Sequence, residues 1–115
     1  MTIPPEILGL VEQLTQELDR IEQQANQGLA IVSQLLERFP NNARLIGLSA
    51  NLGNVLFFVS SFRNRIESII GGISGIDVST EAIQGAGEEL SEFWGRIQEC
   101  KMMVSSSVGI LEDLQ

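Results

Sequence analysis

With 115 residues, 43% of them hydrophobic and 19% charged, the chain has the size and composition of one globular domain, not of a disordered polymer. Its 15 acidic and 7 basic residues give a formal charge of −8, with only Arg63 and Arg65 close together among the basic ones. That distribution argues against direct nucleic-acid binding and against an anionic lipid surface, both of which need a basic face. The chain has no histidine and one cysteine, Cys100, so histidine general bases, nucleophile–histidine triads and ordinary zinc sites are out of reach.

The opening MTIPPEILGLVEQL has no positive leading region, and Glu6 and Glu12 interrupt its apolar residues, unlike a signal peptide. Together with the lone cysteine, which permits no intrachain disulfide, this gives a cytoplasmic expectation. Pro4 and Pro5 suit a first helical turn, whose leading amides lack partners. From Ile7 the apolar residues alternate spacings of four and three: Ile7, Val11, Leu14, Leu18, Ile21, Ala25, Gly28, Val32, Leu35 and Phe39. That is a heptad seam, and it predicts a helix over about 5–39. Glu12, Gln16, Asp19 and Gln23 form its polar outer face. Glycine at seam position 28 costs about 1 kcal/mol against alanine. The cost implies a bend or a bulky facing side chain, with Phe58 and Trp94 as candidates.

Phe39-Pro40-Asn41-Asn42 ends this helix and offers asparagine as the next N-cap. So short a link makes the first two helices antiparallel neighbours. The second helix, over about 42–71, has the seam Leu45, Leu48, Leu52, Val55, Val59, Phe62, Ile66 and Ile69, flanked by Leu56 and Phe58 as further core. From Leu45 to Phe62 it carries no charge. A membrane span needs roughly 20 such residues. Asn51, Asn54 and three serines oppose insertion, and the seam continues in register, so a buried helix is the stronger expectation. Opposite the seam, Ile46, Ala50, Gly53 and Phe57 make a second apolar stripe facing outward. Two large residues with small ones between them suit close helix contact and mark a candidate interface. The competing explanation is that the following loop or a bent terminus covers the stripe.

That loop, 71–79, reads GGISGIDVS; Ile73, Ile76 and Val78 are expected to fold over the bundle end, and Ser79 or Thr80 to cap the next helix. It is no phosphate-binding loop, because no Gly-Lys-Ser/Thr follows and no strand precedes it. The third helix, over about 80–114, has the seam Ile83, Ala86, Leu90, Phe93, Ile97, Cys100, Val104, Ser107, Leu111 and Leu114. Glu88, Glu89, Glu92 and Glu99 could suggest a hard-metal site, but the Glu-x-x-His pairs of di-iron bundles are absent. Glu88, Glu92 and Arg96 follow at i,i+4, as on a solvated face, and Asp19 with Glu22 reads the same way. Cys100 acts as a small hydrophobe in the seam, and Trp94 packs at the core edge.

The sequence thus predicts one all-α domain, an elongated up-down-up three-helix bundle with heptad seams. The expected function is non-catalytic: a protein–protein interaction or scaffold module, without cofactor or metal, that forms a homodimer through Ile46, Ala50, Gly53 and Phe57. Two alternatives accompany it. Arg63 and Arg65 could converge with Arg38 or Arg96 on an anionic small molecule, in a ligand-binding bundle or a small helical enzyme. The uncharged stretch could instead dock the chain on a membrane.

Overall fold

Each helix begins and ends where the local chemistry requires. Pro5 opens α1 (Pro5–Arg38) without an amide to leave unsatisfied, and the Phe39 amide closes it on the Leu35 carbonyl at 2.9 Å. The Asn42 side chain caps α2 (Ala43–Gly72), accepting from the Leu45 amide at 3.1 Å. Ser79 caps α3 (Thr80–Asp113) in the same way, through the Ala82 amide at 3.1 Å. These elements are seen in a computed structural model that describes residues 3–75 and 77–115. They build an elongated three-helix bundle measuring 59 × 18 × 16 Å. Among the described residues of the second connection there is no strand. Ile73 is buried there and Val78 half-buried, while Ile76 lies outside the described residues.

The seams form one continuous core. Leu14, Leu18, Ile21, Leu52, Leu90 and Ile97 are all below 2% exposed, and burying a side chain of that size contributes about 1.5–3 kcal/mol. α1 packs along both other helices, while α2 and α3 meet each other less fully. Its buried arc is consequently wider than a simple seam and takes in Ile31 and Glu17. Glu17 lies between Arg20, whose Nη1 donates to Oε1 at 3.1 Å, and Lys101 of α3, whose Nζ is 3.3 Å from Oε2. That Oε2 is buried and Lys101 is not aligned for a hydrogen bond to it, so the contact is an ion pair only.

Several expectations need correction. Phe39 and Leu114 are 53% and 48% exposed; both sit at C-caps, where the helix has stopped and the side chain no longer follows the seam. Phe58 is 42% exposed, because the flank of α3 lies beside it and, among the described residues, no fourth helix covers it. Gly28 faces neither Phe58 nor Trp94. A Cβ there would lie 2.8 Å from Cδ1 of Leu52 and 3.1 Å from Cγ2 of Val108. Asp19 and Glu22 are more than a solvated face, since both receive Arg63 from α2, Asp19 at 2.6 Å. Arg65 reaches the other way, its Nε donating to Glu89 of α3 at 2.8 Å.

Candidate interaction surface

The seam of α2 turns inward, and that rotation sends Ile46, Ala50, Gly53 and Phe57 outward. All four are exposed, Ile46 by 50% and Phe57 by 68%. Among the described residues nothing lies within 4 Å of a Cβ built at Gly47 or Gly53, so their packing requires glycine at neither position. By length and composition α2 could cross a membrane, yet only 28% of its most apolar 18-residue window is buried in the bundle. Its seam residues Leu45, Leu48, Leu52, Val55 and Val59 are buried, and the exposed remainder is polar or small apart from Ile46, Phe57 and Phe58.

Phe57 also borders a groove between α2 and α3. Its cavity of about 740 Å³ is walled by Phe58, Phe62, Phe93 and Met103, with Arg65, Arg96, Glu89 and Glu99 among its polar residues. Phe57 and Phe58 meet edge-on with centroids 6.1 Å apart, and Phe62 meets Phe93 likewise at 5.4 Å; this is the preferred geometry for two ring quadrupoles. The groove was not legible as a seam violation, because Phe58, Arg65, Arg96 and Met103 each flank a seam residue by one position. The signal that could have located it is that Phe58 and Arg65, and likewise Glu89, Arg96 and Met103, repeat every seven residues along one edge.

Of the arginines expected to converge, Arg65 and Arg96 line this cavity together, while Arg38 and Arg63 do not. Arg63 is committed to α1: its hydrogen bond to Glu22, outweighing partial desolvation, and its bond to Asp19 hold its pKa above the ordinary value. Cys100, 9% exposed, reaches the cavity wall. Burial, and then the charge of Glu99, push its thiol pKa up, which is the opposite of what a reactive nucleophile needs. Among the described residues, no three His, Cys, Asp or Glu side chains are grouped to hold a metal ion. Compared with known protein families, curated proteins and solved structures, the chain matches none.

Proposed function

We propose that the chain is a non-catalytic interaction module of the cytoplasm that self-associates, as a homodimer, through the outward apolar face of α2. The observation that carries this reading is the row of exposed apolar residues on α2 opposite its buried seam, with Ile46 at 50% and Phe57 at 68% exposure. A phenylalanine presents about 200 Å², so covering the exposed part of this ring would gain about 3 kcal/mol. Two copies supply that gain twice, against an association cost of several kcal/mol. Ile46 and the groove-side residues Phe58 and Met103, 42% and 44% exposed, extend the patch toward the roughly 800 Å² per partner of a stable interface.

The test is sedimentation equilibrium of the parent chain in detergent-free buffer over a wide concentration range. The expected result is a reversible transition between 12.6 kDa and twice that mass. A chain that stays in solution only with detergent, and floats with lipid vesicles, would replace this reading with membrane docking. A second reading is favoured by Arg65 and Arg96 both lining an aromatic-walled cavity. Its size lies within the 300–1,000 Å³ of small-molecule sites, and an aromatic carboxylate is the probe that would stack on the rings and pair with Arg96, Arg65 being held by Glu89. Equilibrium dialysis with such a probe, bound by the parent and released by Arg96→Gln, would support it.

A further inference from the structure

We infer that the two copies pair antiparallel through α2, about a two-fold axis that crosses the helix between Asn51 and Leu52. The inference rests on the self-association reading above and adds the geometry of the pair. The outward face reads large, small, small, large, at spacings of four, three and four, and so is the same in both directions. Ile46 with Phe57, and Ala50 with Gly53, share one midpoint. An antiparallel pair about that midpoint sets Ile46 level with the partner's Phe57 at each end, and Ala50 level with the partner's Gly53 in the centre.

A two-fold interface must be complementary to itself, and this one is. Backbones approach most closely at the centre, where the small side chains are, while the large ones anchor both ends. The glycine at 53, whose Cβ would meet nothing among the described residues, then has a steric purpose. Charge separates this arrangement from a parallel one. The residues every seven along the stripe run Ile46, Gly53, Ser60 and Glu67, and Glu67 is exposed. Parallel pairing would set Glu67 beside its own copy, a like-charge contact. Antiparallel pairing separates the Glu67 copies by about 46 Å along the axis, at 1.5 Å per residue. Between Leu45 and Phe62 there is no charge at all, so the centre of the pair carries no repulsion despite a net charge of −8.

The test is a pair of spin-label distance measurements by double electron–electron resonance, in the full chain with Cys100→Ala removing the native thiol. Asn64→Cys and Ala43→Cys each carry one label, both at exposed positions on the same helix face, beyond the two ends of the stripe. The antiparallel pair predicts axial separations of about 38 Å between copies labelled at 64 and about 26 Å at 43. Distances below about 20 Å at both sites would mean a parallel pair and would overturn the geometry while leaving self-association standing. Two long distances with a different midpoint would overturn the proposed axis. Absence of any intermolecular dipolar signal at concentrations above the sedimentation transition would overturn self-association itself.

Discussion

Gly28 offers the sharpest probe of the bundle interior. A Cβ built there lies 2.8 Å from Cδ1 of Leu52 and 3.1 Å from Cγ2 of Val108. The first contact is with the far end of a flexible side chain and can yield; the second is with a β-branched residue that is stiff about χ1. In Gly28→Leu, three further carbons must enter space that Leu52 and Val108 already fill. Overpacking of this kind costs about 3 kcal/mol at the upper end of its usual range. Leucine returns about 1 kcal/mol as the better helix former. The net loss is about 2 kcal/mol, a fall in melting temperature of roughly 8 °C for a domain of this size. Gly95→Ala is the control, because its Cβ meets nothing within 4 Å; it should stabilise by up to about 1 kcal/mol. Urea and thermal unfolding followed by helical circular dichroism, at one fixed protein concentration, measure both variants. A melting temperature that rises in Gly28→Leu as it does in Gly95→Ala would refute the close approach of the three helices at this level.

Lys101→Met leaves Oε2 of the buried Glu17 without its cation and should cost about 1–3 kcal/mol in urea unfolding. Adding Glu17→Met should recover most of that loss, since an apolar pair avoids the desolvation of two charges. Cys100 has its thiol pKa raised in the folded chain, by burial and then by Glu99. Folding therefore favours the protonated form: the stabilisation is complete below the unfolded thiol pKa and is lost as pH rises through the folded one. Stability should decline in the alkaline range above about pH 8.5, and Cys100→Ala should flatten that decline. Thiol labelling of Cys100 near pH 8 should be slow in the native chain and rapid in urea.

The fold was legible because its controlling signal is local. Apolar residues at spacings of three and four define each helix face, and Pro5, Asn42 and Ser79 define the starts. The placement of Ile46 and Phe57 on the outside followed from the same periodicity, once the seam residues Leu45, Val55 and Val59 were turned inward. What stayed hidden depends on which helix lies beside which. Glu17 reads as an ordinary surface acid until α1 is seen to touch both partners, which brings Lys101 over it. Phe58 flanks the seam on the side where only the edge of α3 waits, so its spacing suggested core while its surroundings leave it half open. Arg63 and Arg65 are neighbours in sequence, but two residues along a helix is a turn of about 200°, and they reach opposite helices. The partners of Gly28 were misassigned for a related reason: spacing gives the face but not the level at which facing helices meet.

The measurement that bears most directly on self-association through α2 is sedimentation of Phe57→Glu beside the parent chain. Phe57 is 68% exposed and stands outside the buried core, so the substitution should leave helical circular dichroism intact. At the interface it would bury a carboxylate without a cation, at a cost of several kcal/mol. Two-fold symmetry would do so twice. The account predicts a parent that sediments at twice 12.6 kDa and a variant that sediments at 12.6 kDa across the same concentrations. A parent that is already a detergent-free monomer, with a variant indistinguishable from it in mass and helicity, would contradict the account.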